Sequence, residues 1–179
     1  MLGLGSTLTM SPDSAGEPAP FDQTWNFNGG SADVSEWSFT DARISSLSYT
    51  FSLAIGGTAR THLMKISMVQ NSSTGLTSVI LADALAGCPD GASIKVEVDY
   101  GIGKTNDSTL RLATILAGGT AITIDASDQA TNSWRTIAPA TVYTMGSSDN
   151  DLVLRVPADT GINLVDDAIY VQRVRVYQV

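Results

Sequence analysis

Leu47-Ser48-Tyr49-Thr50-Phe51-Ser52-Leu53-Ala54-Ile55 alternates five large apolar residues with four small ones, and Gly56-Gly57 ends the run. Successive side chains of a strand point to opposite faces, so this period of two predicts a half-buried β-strand, and the glycine pair predicts a break after it. The next residues continue the alternation. Met64, Ile66 and Met68 stand against Leu63, Lys65, Ser67 and Val69, until Asn71-Ser72-Ser73-Thr74-Gly75 interrupts them.

Outward from this pair, the apolar positions of Leu76 to Leu85 fit either a short helix or a buried strand. Strand is the expectation, because Pro89-Asp90-Gly91 is a tight turn that leads straight into Ile94-Lys95-Val96-Glu97-Val98-Asp99-Tyr100. In that run Lys95, Glu97 and Asp99 mark one solvent-facing side. Further strands are expected over Leu110 to Leu116, Ala121 to Ile124, Trp134 to Tyr143, Leu152 to Val156 and Ile169 to Val179. In the last, Tyr170, Val174 and Val176 share one parity while Ile169 and Val171 take the other, and a bulge near Gln172-Arg173 reconciles them. A series of short strands with no helical crossover means an all-β antiparallel sandwich or barrel.

Composition agrees. The 179 residues hold 18 acidic and 10 basic side chains, a net charge of −8, with no Lys/Arg run to grip phosphates. Nucleic acid and anionic membranes are therefore excluded as partners. Fifteen of the acids are Asp, only three are Glu, and Ser plus Thr outnumber all charges, which favours turns and strands over helices. Residues 1–24 are rich in Gly, Ser, Thr and Pro, with Leu2, Leu4 and Leu8 as spaced apolar content. Such a segment offsets its ordering entropy only by lying against something. The expected organisation is an extended N-terminal arm over 1–24, with Phe21 among its anchoring residues, and a sandwich over 25–179. The opening Met1-Leu2-Gly3-Leu4-Gly5 shows no basic n-region or sustained apolar run of a secretory signal.

Catalytic chemistry is sparse. Gly103-Lys104-Thr105 ends like a phosphate loop, but Val98 stands where the first glycine belongs, and a polar hairpin loop explains it. His62 is the single histidine, Cys88 the single cysteine, and no nucleophile elbow exists, so a triad or a zinc site lacks its parts. Two-carboxylate glycosidase chemistry has few Glu residues to draw on, and Glu97 lies on the outward face of a regular strand. The loops around Asp125-Asp128, Asp149-Asp151 and Asp166-Asp167 are oxygen-rich enough for calcium, though Asx-turns account for each. Asn71 and Asn106 fit the glycosylation triplet, which marks surface loops. The expectation is a non-enzymatic protein without cofactor or metal.

A family resemblance sharpens the fold. Asp166-Asp167-Ala168-Ile169-Tyr170-Val171-Gln172-Arg173-Val174-Arg175-Val176 resembles the closing strand of jelly-roll carbohydrate-binding modules of the galactose-binding-like type. Leu85-Ala86-Gly87-Cys88-Pro89-Asp90-Gly91 before Ile94-Val98 looks like their Pro-Gly turn and following strand. Trp134-Arg135-Thr136-Ile137, with Tyr143-Thr144 and Leu152-Arg155, looks like their Trp-initiated strand and its partner. The likeness spans roughly Trp25 to Val179 and implies an antiparallel jelly-roll β-sandwich. Gln172 stands where those modules often carry an Asp that helps hold a structural calcium, and no aromatic pair is visibly placed on one exposed face. Separately, the opening nine residues look like the starts of small structural proteins of tailed bacteriophages.

Two functions follow as expectations. The first is a bacteriophage virion structural protein, a capsid decoration or cement protein assembled in the host cytoplasm. It would form a homotrimer and attach to the major capsid protein or other virion proteins through Leu2, Leu4, Leu8 and Phe21. The alternative is a carbohydrate-binding module, or a tail or neck component, recognising surface glycans, with Trp37 or Tyr143 stacking on a sugar.

Overall fold

The computed structural model describes residues 20–40, 44–68, 75–102, 114–117, 120–123, 132–138, 142–146, 150–158 and 168–179. In chain order they form β1 (Asp22–Asn26), α1 (Ser31–Ser35), β2 (Trp37–Phe39), β3 (Ile44–Ile55), β4 (Thr58–Met68), β5 (Gly75–Leu81) and β6 (Ser93–Ile102). The series continues with β7 (Thr114–Ala117), β8 (Thr120–Thr123), β9 (Trp134–Ile137), β10 (Tyr143–Thr144), β11 (Leu152–Ala158) and β12 (Ala168–Gln178). The sequence expectation of an all-β antiparallel jelly-roll sandwich holds.

Seven strands make one sheet. Its order is β10-β6-β12-β4-β3, with β9 also on β6 and β1 also on β12. The other sheet runs β2-β5-β11-β7-β8. Every strand pair is antiparallel. Between the sheets, alternate residues of each strand interlock: Ile94, Val96, Val98, Tyr100 and Ile102 of β6, Ile169, Val171, Val174 and Val176 of β12, and Leu152, Leu154 and Val156 of β11 are at most 1% exposed. Each such aliphatic side chain contributes about 1.5–3 kcal/mol of burial, ample for a core without disulfides.

Several sequence expectations change at their ends. The strand expected over Leu76 to Leu85 stops at Leu81, and residues 82–87 form turns in which Asp83 takes φ 54°. Leu85 belongs to that turn yet is 0% exposed, which explains why its apolar character read as strand. The span Trp134 to Tyr143 is two short strands, β9 and β10, flanking Pro139, whose missing N–H cannot serve a ladder. The sandwich also begins earlier than Trp25. Phe21 O accepts from Gln178 N, Phe21 N donates to Gln178 Oε1, and its ring lies beside Gly87, packed on the core, so Phe21 is part of the sandwich and not of an external arm. Leu2, Leu4 and Leu8 lie outside the described residues, as do Asn71, Gly103-Lys104-Thr105, Asn106, Asp125, Asp128, Asp149, Asp166 and Asp167.

The bulge expected near Gln172-Arg173 is present, since the β12–β6 register shifts between Val171 and Arg173. It sits where two strands compete for one edge. β4 pairs with β12 only over Ala168 to Val171, and β1 takes the same edge from Arg173 to Tyr177. Displaced by β1, the β3–β4 hairpin leaves the plane of the sheet and crosses its outer face. Gln172 Oε1 accepts a hydrogen bond from Arg60 Nη1 at 2.6 Å, and Trp134 Nε1 donates to Thr58 O at 2.9 Å. The hairpin tip thus ends over β6 and β9, where Ile55 and Trp134 cover Gly101.

Candidate functional site

The crossing hairpin builds a cleft. Its floor is the outer face of β6 and β12, namely Asp99, Gln172 and Arg173. One wall is the hairpin, with Thr61 and His62, and the other is the end of β1 and its following turn, with Asn26 and Asn28. The volume is about 300 Å³. Nearly every lining group can donate or accept a hydrogen bond.

The floor is cross-braced. Thr136 Oγ1 donates to Asp99 Oδ1, and Arg173 Nε donates to Asp99 Oδ2 at 2.7 Å. Arg173 Nη2 reaches Glu97 Oε2 at 3.3 Å. Asp99 is only 7% exposed, so its charge needs these partners, because an unpaired buried carboxylate costs several kcal/mol. This corrects the sequence reading: Glu97 and Asp99 do point outward from β6, but Arg173 pairs with both and Asp99 lies in the cleft beside the hairpin. Two of the five guanidinium donors of Arg173 are spent on the carboxylates, which leaves donors for a ligand.

The hairpin wall is held in an uncommon conformation. His62 has φ 57°, the left-handed region that non-glycine residues seldom adopt. The Tyr49 hydroxyl lies 3.0 Å from its Nδ1, and the Phe51 ring meets it edge-on at 5.3 Å. Phe51 is 63% exposed, so an aromatic side chain stands in water on the face of the hairpin that carries His62. At the far end, the Arg60 guanidinium lies 5.3 Å from the centre of the Trp134 ring. At the other end of β1, Asp22 accepts two hydrogen bonds from Arg175, and the bond to Arg175 holds the Asp22 carboxyl below its usual range.

The residues singled out from sequence for sugar stacking lie elsewhere. Trp37 is 6% exposed and packs on Phe27 in the core at 6.3 Å between ring centres, so little of its ring is open to a ligand. Tyr143 is half-buried in the short strand β10, against the core. Trp37 does border a second cavity of about 610 Å³ between the edges of β2 and β3, with Val34, Phe39, Leu47 and Tyr49. Ser31, Ser35, Ser38 and Ser48 also line that groove, so it mixes apolar and hydroxyl groups. Among the described residues no three His, Cys, Asp or Glu side chains gather as a metal site. Cys88 is buried, and desolvation raises its thiol, the opposite of what a nucleophile needs.

His62, Asn26, Asn28, Gln172 and Arg173 were not legible as a group, because they come from three strands and a turn. One signal was available. The parity break at Gln172-Arg173 marked where the ladder is interrupted, and the cleft opens there.

No protein-family model matches the chain, and no curated protein matches it in sequence. Solved structures do match in fold. The CBM22-1 xylan-binding domain of Xyn10C from Paenibacillus barcinonensis aligns with a TM-score of 0.58 at 12% identity, over 88% of this chain and 93% of that one. CBM27-1 of Caldicellulosiruptor saccharolyticus, solved with mannohexaose, aligns at 0.51 and 12%, over 87% and 96%. An arabinose-bound GH51 α-L-arabinofuranosidase aligns at 0.55 and 11%, over 82% of this chain and 24% of that enzyme. At such identities the likeness is of fold.

Proposed function

We propose that this domain binds carbohydrate without catalysis, and that the cleft under the β3–β4 hairpin is where it does so. The observation that carries the reading is the cleft itself: a small recess lined by amide, guanidinium, imidazole and hydroxyl groups and braced from below by Asp99. Sugars present hydroxyls that both donate and accept, and side-chain amides and an Arg fork can meet them in pairs. Binding of xylan and of mannohexaose by domains of like fold supports the class of ligand. The virion-attachment reading draws on Leu2, Leu4 and Leu8, outside the described residues, and on Phe21, which packs on its own sandwich.

Affinity electrophoresis against xylan, mannan and related soluble polysaccharides tests the proposal. Retention is expected for the native chain, and at least a tenfold weakening for Asn28→Ala and His62→Ala. Phe39→Ala, in the groove between β2 and β3, should leave retention unchanged. No retention on any polysaccharide, or equal retention of all variants, would overturn it.

A further inference from the structure

We infer that β3 is the docking edge for a second copy of this chain, and that two copies join their larger sheets antiparallel across it. This does not depend on what the cleft binds. Leu47-Ser48-Tyr49-Thr50-Phe51-Ser52-Leu53 reads nearly the same in both directions about Thr50. An antiparallel neighbour runs backwards, so a second copy centred on Thr50 sets Leu47 against Leu53, Ser48 against Ser52 and Tyr49 against Phe51. Each residue meets its own kind. Aromatic–aromatic and hydroxyl–hydroxyl oppositions are favourable cross-strand pairs.

The fold leaves this strand open to such a neighbour. The strands that end the two sheet paths are β10, β2, β8 and β3, and the first three have two, three and four residues. Short edges give another chain little to pair with. β3 has twelve residues, none of them charged and none proline, so it lacks the usual protection of a long edge. Among the described residues no strand pairs with its outer side. Gly56 and Gly57, at φ 55° and 81°, form the two-residue turn between the paired Ile55 and Thr58, which closes the hairpin on a hydrogen-bonded pair. Such pairs alternate along an antiparallel ladder, and the register is the same on both sides of Phe51. Ser48, Thr50, Ser52 and Ala54 therefore direct their N–H and C=O groups away from β4. On a two-fold axis, Thr50 exchanges both its bonds with Thr50 of the second copy.

The side chains agree with this centre. Leu47 and Tyr49 line the groove of about 610 Å³ together with Trp37 and Phe39. Phe51 and Leu53 of the second copy, opposite Tyr49 and Leu47, arrive at that groove and cover it. Phe39 is 40% and Phe51 63% exposed in the single chain, and both gain apolar neighbours. Charge favours the same meeting point, because two chains of net charge −8 repel, and the uncharged β3 brings no like charges face to face. The contact uses the same patch on both copies, so association closes at two. The strand and groove residues are fewer than the roughly 20–30 a side of a standard interface, so a reversible dimer in the micromolar range is expected.

Sedimentation velocity of the native chain, from low to high micromolar concentration, tests the inference. The mass should rise from one chain, 18.8 kDa, to two and no further. Thr50→Lys opposes two ammonium groups on the axis and should weaken association about fivefold or more, and mixing it with Thr50→Glu should restore it. Register is read with oxidised glutathione as oxidant. Hydrogen-bonded partners have Cα atoms about 5.5 Å apart, within the range a disulfide spans, so Thr50→Cys should link two chains about tenfold faster than Ser46→Cys, which faces Ala54 of the second copy. The native Cys88 is buried and does not compete. A native chain that stays single at every concentration, growth past two, a dimer indifferent to Thr50→Lys, or equal linking by the two cysteine variants would each overturn the inference.

Discussion

Gly101→Ala tests whether the hairpin is seated on the sheet as described. The new methyl would lie 2.6 Å from Trp134 Cε3 and 2.8 Å from Ile55 Cδ1, about 1 Å inside the ordinary carbon–carbon separation of roughly 3.5–4.0 Å. Two responses are open. If the hairpin stays, the crowding is absorbed as overpacking strain of about 1–3 kcal/mol. If it lifts, the chain forfeits the burial of Ile55, about 1.5–3 kcal/mol, and the Trp134–Thr58 hydrogen bond, about 0.5–1.5 kcal/mol. It also forfeits the Arg60–Trp134 stack, about 0.5–1 kcal/mol. Staying costs less, so the expected loss is about 1–3 kcal/mol, with the hairpin shifted but attached. For a domain of this size that lowers Tm by about 2–4 °C per kcal/mol.

Urea and thermal unfolding of Gly101→Ala, Trp134→Ala and the double variant measure it. Because the methyl and the indole contend for one space, the double variant should lose less than the two single losses added, by about 1 kcal/mol or more. Sugar retention should also weaken in Gly101→Ala, since Thr61 and His62 ride on the same hairpin. A Gly101→Ala protein of native stability, or strict additivity in the double variant, would refute the seating of the hairpin.

Two further outcomes follow from the packing. Thr77 is 1% exposed and its Oγ1 has no hydrogen-bond partner among the described residues, so Thr77→Val should stabilise by about 1 kcal/mol, read as a higher urea midpoint at unchanged slope. Burial raises the Cys88 thiol from its ordinary 9.0 and the Tyr170 phenol from its ordinary 10.0. The unfolded chain therefore loses these protons first as pH rises, so stability is complete below the ordinary values and declines above them toward the raised ones. Urea midpoints between about pH 8 and 11 should fall in the native chain and fall less in the Cys88→Ala/Tyr170→Phe double variant. Equal decline in both would show that other groups govern the alkaline limb.

The amino-acid sequence by itself determined the alternation of most strands, though not β1 or β2, because a period of two is written into neighbouring residues. Even the bulge in β12 was readable there, since a change of parity inside one strand has no other remedy. What each face would meet was not readable. In Leu47, Tyr49, Phe51 and Ile55 one stripe of alternate residues has three fates. Leu47 and Tyr49 pack on the core, Phe51 stands 63% exposed, and Ile55 is buried against Gly101 on the outer face of β6. The physical reason is competition for a single edge: once β1 has paired with the second half of β12, β4 has no further ladder there and continues paired with β3 alone, in a hairpin whose tip rests over Gly101. That crossing turned Asp99 from an apparent solvent position into the floor of a cleft and gathered His62, Asn28 and Arg173 around it. Local order is a property of adjacent residues, whereas the site depends on which of two distant strands occupies one row of backbone hydrogen bonds, and only the tertiary structure decides that.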